Sequence, residues 1–171
     1  VSSATGTYQI YTIRLDGSER KRVTYNNNFD HDPAWSPNGN QIAFASYGAS
    51  GADLWIINAD GSNPVRLTTN SADEMDPDWS PDGSRIAFDS FRAGNSDLFI
   101  IHTDGSGEIN LTNTPDQAES YPAWSPDGNW IAFCNVTAAS EMSIQLISVD
   151  GSVRKQVSLP GGVQCQPAWQ P

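Results

Sequence analysis

Carboxylates gather just ahead of three of four regularly spaced tryptophans, and they are the side chains in this chain best suited to bind a ligand. Five of them lie three or five residues before a tryptophan: Asp30, Asp32, Glu74, Asp76 and Glu119. Clustered carboxylate oxygens suit hard cations such as Ca²⁺, whereas carboxylates in solvated turns ahead of strands bind nothing. Gln164 and Gln166 hold these positions in the fourth repeat, which weakens the calcium hypothesis, and the pattern requires no cofactor.

Side chains typical of catalysis are sparse. His31 and His102 fall at unrelated repeat positions, and the sequence gives neither a partner for a triad or a zinc site. Cys134 ends one predicted strand and Cys165 precedes another, so they either form a disulfide or are two small buried residues, and the second interpretation is favoured. The sequence therefore predicts no catalytic or metal-binding residues, and a protein that is not an enzyme.

Two sets of anchors recur along the whole chain. A tryptophan two residues after a proline appears every 44 or 45 residues, and an Asp-Gly-Ser sequence appears every 44 to 46 residues. Two independent anchors with one period indicate a repeat protein rather than chance similarity. The tryptophan anchors are Trp35, Trp79, Trp124 and Trp169, and the aspartate anchors are Asp16, Asp60, Asp104 and Asp150.

Each repeat is predicted to contain four short strands. The first runs into the tryptophan, and a Ser-Pro-Asp-Gly or Ser-Pro-Asn-Gly turn leads to an Ile-Ala-Phe strand whose large residues share one face. A third, apolar strand ends at the Asp-Gly hairpin turn, and a fourth follows it. This period predicts one all-β domain over residues 1–171: a β-propeller of about four blades, each of four antiparallel strands.

The repeated strings DPAWSPNGNQIAFAS, DPDWSPDGSRIAFDS and YPAWSPDGNWIAFCN resemble the WD-like repeat of the TolB β-propeller family. The resemblance covers nearly the whole chain and implies the propeller fold. It implies no single function, because such repeats occur in periplasmic proteins, in propellers attached to serine peptidases and in many secreted bacterial proteins. Family propellers commonly have six or more blades, and TolB itself carries a separate N-terminal domain with no counterpart here.

The two ends of the chain are predicted to share a closing blade. The chain begins late in one repeat and ends just after a first strand, so this blade would lack most of its second strand. Because unpaired buried backbone groups each cost about 1–3 kcal/mol, something should fill the slot. Three alternatives remain open: residues Val1 to Thr5, a strand donated by a second chain, or preceding residues or blades.

Charge and hydropathy exclude two classes of partner. The formal net charge is −11 over 171 residues, and the calculated pI is about 4.2. Nucleic-acid binding needs a basic surface, and anionic lipid also attracts basic segments. No apolar run is long enough to cross a membrane, so membrane insertion is not expected.

The sequence favours a non-enzymatic, extracellular or periplasmic propeller that acts as an interaction or structural module. Its partner would be a protein or peptide, including a second copy of itself, because strand donation at the closing blade could build oligomers or filaments. The first strand of each blade lines the central channel of a propeller, so the five carboxylates are expected at one mouth of that channel. One alternative is therefore a TolB-like periplasmic module that binds a protein across this channel mouth. Another is a propeller fragment of a larger enzyme.

Overall fold

The computed structural model describes residues 1, 6–157 and 165–170, and these form an all-β structure. The part of the chain so described supplies no helical membrane span. The strands are β1 (Tyr11–Thr12), β2 (Lys21–Arg22), β3 (Phe29–Trp35), β4 (Gln41–Gly48), β5 (Gly51–Asn58), β6 (Val65–Arg66), β7 (Glu74–Trp79), β8 (Arg85–Ser90), β9 (Asp97–His102), β10 (Ile109–Asn110), β11 (Gln117–Trp124), β12 (Trp130–Thr137), β13 (Met142–Ser148) and β14 (Arg154–Gln156).

Three antiparallel four-stranded sheets follow one another along the chain, each in simple up-and-down order. We call them blade I (β3–β6), blade II (β7–β10) and blade III (β11–β14). The pair β1–β2 precedes them and corresponds to the third and fourth strands of another blade. The all-β prediction and the four-stranded repeat are confirmed, with three complete blades and one strand pair among the described residues.

Alternation within the strands explains how neighbouring blades pack. In β8, Ile86 and Phe88 face blade I, whereas Ala87 between them faces blade III. Large residues on one face and a small one on the other allow successive sheets to nest, and β12 repeats the arrangement with Ile131 and Phe133. The Ile-Ala-Phe sequences of blades I and II therefore each contribute to two hydrophobic layers.

The anchor tryptophans are buried only where a complete blade precedes them. Trp79 and Trp124 are each 6% exposed and pack on blades I and II respectively, but Trp35 is 52% exposed. The blade ahead of Trp35 is represented by β1–β2 alone, which leaves one side of its indole open. Burial between blades therefore holds for Trp79 and Trp124 and not for Trp35 or for Trp169, which is 36% exposed.

The two repeated turns are held by short side-chain hydrogen bonds. In the first, Ser80 Oγ donates to Asp82 Oδ1 over 2.6 Å, and Oδ1 also accepts the Ser84 backbone N–H over 3.0 Å. In the second, Asp60 Oδ1 accepts the N–H and the hydroxyl of Ser62 over 2.8 and 2.6 Å. The same bonds recur at the other aspartate anchors, Asp16, Asp104 and Asp150. These anchors thus hold turns, as the sequence predicts.

A disulfide between Cys134 and Cys165 joins β12 to the segment 165–170. The favoured prediction of two unlinked cysteines is therefore wrong: the fold brings the end of one strand beside the next inner segment, with the Cα atoms 4.9 Å apart. Trp169 Nε1, in this segment, donates to the carbonyl of Ala123 over 2.9 Å. Residues 165–170 thus run alongside β11.

The predicted closing blade is not observed between the described strands. Neither β1 nor β2 approaches any strand of blade III. Of the residues expected to fill the missing strand, 2–5 lie outside the described part of the chain. A blade shared by the two ends stays a prediction.

Candidate functional site

The first strand of every complete blade contains a β-bulge at the same repeat position. Asp32, Asp76 and Tyr121 occupy it, with left-handed φ values of 49°, 51° and 55°, and the strand register shifts at each of them. Such a conformation is costly for residues with a side chain, and it concentrates at functional sites. Its recurrence in three strands marks this position as the first candidate for function.

The bulges line one groove of about 550 Å³, which we call the inner-strand groove. Its wall contains the three bulge residues and Gln166, which has the same repeat position in the segment 165–170. Each of these four is followed by a proline, and Trp124 and Trp169 complete the apolar part of the wall. Rigid rings and a few polar side chains therefore share this surface.

A chain of carboxyl groups crosses from blade I into blade II beside the groove. His31 Nδ1 lies 2.7 Å from Asp32 Oδ2, and this contact raises the pKa of His31 and lowers that of Asp32. Burial, followed by the charge of Asp32, raises the pKa of Asp76 to about 6. Tyr121 faces the same carboxyls, and the charge of Asp76 raises the pKa of its phenol.

Asp89 lies behind Asp76 and is 1% exposed. Burial, followed by the adjacent Asp76, raises the pKa of Asp89 well above its ordinary value. Its Oδ2 is 3.2 Å from Ser96 Oγ, and its Oδ1 has no hydrogen-bond partner among the residues that the structure describes. A carboxyl this deeply buried is expected to hold a proton or to share one with its neighbour.

Asp89 has no acidic counterpart in the sister blades. The residue after Ile-Ala-Phe is Ala45 in blade I and Cys134 in blade III. Blade II also has Asp78 where blades I and III have Ala34 and Ala123, and Asp78 Oδ2 accepts the Trp124 backbone N–H over 2.6 Å. The acidic character of the groove is therefore concentrated in blade II.

The structure divides the five predicted carboxylates into two sets. Asp32 and Asp76 line the inner-strand groove, but Asp30, Glu74 and Glu119 are fully buried. The prediction that all five surround one channel mouth is wrong for these three, because residues five positions before the tryptophan point into the blade. Whether Asp32 and Asp76 bind a ligand stays a prediction.

Each buried member of the second set has partners inside its own blade. Asp30 accepts from Ser46 Oγ over 2.6 Å, and Glu74 accepts from Arg92 Nη2 over 3.1 Å. Glu119 accepts from Arg154 Nη2 over 2.9 Å, and from the Thr114 hydroxyl over 2.7 Å. These carboxylates hold their blades together and are inaccessible from the groove because they are buried, although one oxygen each of Glu74 and Glu119 has no hydrogen-bond partner in the described chain.

The sequence interpretation missed Asp89, Tyr121 and the role of His31. Aligning the three Ile-Ala-Phe sequences shows a carboxylate at a position that is otherwise small, which was a usable signal for Asp89. The bulge was harder to predict: each bulge residue precedes a proline, but the left-handed conformation is adopted by Asp and Tyr alike, so residue type does not reveal it. No three or more His, Cys, Asp or Glu side chains in the described ranges are arranged to hold a metal ion, so the calcium hypothesis gains no support.

Comparison with known proteins identifies the repeat. A family model described as "TolB beta propeller domain" matches residues 1–171. The Tol-Pal system protein TolB of Desulfosudis oleivorans is 38% identical over 56 residues, which are 33% of this chain and 13% of that protein. Dipeptidyl-peptidase 5 of Porphyromonas gingivalis is 39% identical over 46 residues, or 27% of this chain and 7% of that enzyme.

A solved structure extends the similarity over most of the fold. The putative TolB of Agrobacterium tumefaciens superimposes with a TM-score of 0.80 at 25% identity, over 90% of this chain and 57% of that one. This chain therefore spans little more than half of that propeller-containing structure and smaller fractions of the two curated relatives.

Proposed function

Because the chain belongs to the TolB β-propeller family, we propose that it is a propeller module that binds a protein or peptide in its inner-strand groove. The observation that carries this proposal is the groove itself, where three strained bulges and a row of prolines are held by complete blades. Rigid rings lose little conformational entropy when a partner binds, and aromatic side chains are enriched in the centres of interfaces.

We propose that the module acts by contact rather than by catalysis. The groove lining consists of Asp, Pro, Tyr, Ala, Trp and Gln side chains, a composition suited to recognition. The similarity to part of a peptidase supports one alternative. In that alternative, the propeller is part of a larger enzyme and controls the access of substrate to it. Hydrolysis of the selected peptides described below, followed by mass spectrometry, would favour that alternative.

An extracellular or periplasmic location is part of the proposal. The Cys134–Cys165 disulfide supports it, because disulfides persist in oxidising compartments and are rare in the cytosol. In cells of the source organism, a thiol-reactive mass tag added after rapid acid quenching should leave both cysteines unmodified. Modification of both before reduction would contradict the proposed location.

Peptide selection tests the proposed binding directly. A phage library of random 12-residue peptides is panned on the chain, and the enriched peptides are measured by isothermal titration calorimetry. Tyr121→Ala should weaken binding at least tenfold, because Tyr121 lies in the groove wall. Tyr25→Ala, at a side chain 74% exposed outside this groove, is the matched control and should leave binding unchanged. Equal losses in both variants, or no enriched peptide, would overturn the proposal.

Self-assembly by strand donation is a second candidate function. In the described residues, β1 pairs only with β2, so its other edge offers unpaired backbone groups to an incoming strand. Light scattering after size exclusion should then give a mass that rises with concentration between about 1 and 100 μM. A constant monomer mass over that range would remove this candidate without affecting the groove.

A further inference from the structure

Neither Asp76 nor Asp89 forms an ion pair with a Lys or Arg among the described residues, whereas three other buried carboxylates do. Glu74 pairs with Arg92, Glu119 with Arg154, and Asp53 with Arg66 over 2.7 Å. No Lys or Arg contributes to the environment of either Asp76 or Asp89. Asp30 and Asp97 are buried without an arginine too, but they accept hydrogen bonds from neutral side-chain and backbone donors. Asp89 instead has one carboxyl oxygen without a partner in the described chain, so a positive charge brought to Asp76 would meet an acidic pair that is not already neutralised.

Proton counting indicates that the pair is protonated when nothing is bound. Ser96 Oγ lies 2.7 Å from the Glu119 carbonyl oxygen, which can only accept, and 3.2 Å from Asp89 Oδ2. A hydroxyl has a single proton to donate, so the shorter bond takes it, and the Asp89 contact is favourable when the carboxyl carries the proton. Burial and the charge of Asp76 act on the pKa of Asp89 in the same direction.

Three strands place titratable groups beside Asp76: β3 and β8 each contribute a carboxyl group, and β11 contributes a phenol. Asp32 and His31 face it from β3, Asp89 from β8 and the Tyr121 phenol from β11. His31 is bonded to Asp32, and its charge also lowers the pKa of Asp76, but burial and the charge of Asp32 have larger effects in the opposite direction. An incoming cation would therefore meet a negative field, and the net charge of −11 adds to it at long range.

From this geometry, and resting on the proposed peptide-binding function, we infer that the groove recognises a basic side chain of its partner: the cationic end docks on Asp76, and the Asp76–Asp89 pair releases its shared proton to solvent. Asp76 is the binding residue, since it lines the groove, and Asp89 is a positioning residue that acts through it. The aliphatic stem of lysine or arginine would pack on Pro77, Pro122 and Trp124.

A metal ion fits this site less well than an organic cation. No three or more His, Cys, Asp or Glu side chains within the described residues converge on one point, as a bare divalent ion would need. An ammonium or guanidinium group requires only a few acceptors and gains from adjacent aromatic faces. The apolar wall beside Asp76 therefore favours a cation that carries its own hydrocarbon stem.

The test uses n-butylammonium chloride as the probe and the whole chain, uniformly labelled with ¹⁵N, at pH 7.5 and constant ionic strength. We expect saturable shifts of the Asp76 and Tyr121 amide signals with a dissociation constant in the millimolar range, and none with n-butanol. Asp76→Asn should weaken binding at least tenfold, while its spectrum otherwise keeps the wild-type dispersion. Binding that is unchanged in Asp76→Asn, equal for n-butanol, or absent at 100 mM would overturn the inference.

Asp89→Asn separates the positioning role from a structural one. It should still bind n-butylammonium, but the rise in affinity seen between pH 5 and pH 7 should move to a different pH, because a hydrogen bond to Asp89 lowers the pKa of Asp76. In the wild type, the dissociation constant should fall several-fold over that range. An unchanged pH profile in Asp89→Asn would refute the role of Asp89. Failure of the peptide selection, by contrast, counts against the proposed function. The n-butylammonium titration would still show whether Asp76 binds a cation.

Discussion

Trp79 Nε1 donates a hydrogen bond to the carbonyl oxygen of Ala34 in the preceding blade, over 3.1 Å. Trp169 makes the equivalent bond to Ala123. Trp124 has the same repeat position and the same 6% exposure as Trp79, but its Nε1 has no hydrogen-bond partner in the described part of the chain. Two equally buried indoles therefore differ by one inter-blade hydrogen bond.

Replacing each of these indoles by phenylalanine should separate hydrogen bonding from burial. Trp79→Phe loses the bond to Ala34 and leaves that carbonyl unpaired, so it should cost about 1 kcal/mol more than Trp124→Phe. Trp124→Phe is the matched control, because it removes a similar area and no hydrogen bond. Urea unfolding followed by circular dichroism measures both. Equal losses of unfolding free energy would contradict the inter-blade role of the indole N–H.

Arg154 should be among the most sensitive positions in blade III. Its guanidinium donates to Glu119 over 2.9 Å and to Asn135 over 2.8 Å, and lies over the ring of Phe133. Arg154→Met leaves the fully buried Glu119 without its cation, which should cost about 3–5 kcal/mol. Urea midpoints measure the change, and Glu119→Gln in the same chain should restore part of the loss.

The exposed pair Arg14–Glu19 supplies the comparison for Arg154. Both side chains are about two-thirds exposed, at 64% and 66%. Arg14→Met should therefore change the unfolding free energy by less than about 0.5 kcal/mol. Similar losses at Arg14 and Arg154 would mean that burial does not set the strength of these ion pairs.

Reduction of the disulfide should destabilise the chain by about 3 kcal/mol, since the bond closes a loop over a sequence separation of 31 residues. Thermal unfolding with and without a phosphine reductant measures this. The double variant Cys134→Ala/Cys165→Ala is the control: the chain has two cysteines, so its melting temperature should not respond to reductant. A wild-type melting temperature that ignores reductant would contradict the structural role of the bond.

Asp76 should give stability an unusual pH dependence. Its pKa is about 6 in the fold against an ordinary 3.8, so the folded chain binds more protons than the unfolded chain between these values. The contribution of Asp76 to the free energy of unfolding therefore falls as pH rises from about 4 to 6. Asp76→Asn should be about 1 kcal/mol more stable than the wild type at pH 7.5, and equal to it near pH 4.

Asp82 provides a control of opposite sign for this pH dependence. Hydrogen bonds from Ser80 and Ser84 lower its pKa to about 2, so its contribution is present above its ordinary pKa and is lost as pH falls. Asp82→Asn should reduce stability near pH 7 and not near pH 2, and Asn38 shows that asparagine fits this turn. Urea unfolding at several pH values tests both variants, and slopes of the same sign would contradict the assignment.

The repeat determined how much of the fold was predictable. The spacing of Trp79 and Trp124 and of the Asp-Gly-Ser turns predicted four-stranded blades, because turn chemistry and strand periodicity are local properties of the sequence. The exposure of Trp35 was not predictable in the same way. The exposed fraction of Trp35 depends on how much of the neighbouring blade packs against its indole.

The site was only partly predictable. Asp32 and Glu74 looked alike in the sequence, yet the first lines the groove and the second is buried beside Arg92. The difference arises at the bulge, where a register shift sends neighbouring residues to different surfaces. The interaction between Asp76 and Asp89 required the pairing of β7 with β8, which brings Met75 opposite Asp89.

The most direct measurement is a ¹⁵N-labelled titration of the chain with the tightest peptide from selection. If the inner-strand groove is the binding surface, the largest shifts fall on the amides of Asp32, Asp76 and Tyr121 and on the indole N–H of Trp169, all in its wall. Shifts concentrated instead around Thr24, Tyr25 and Trp55, which line a separate cavity of about 370 Å³, would contradict the proposed function.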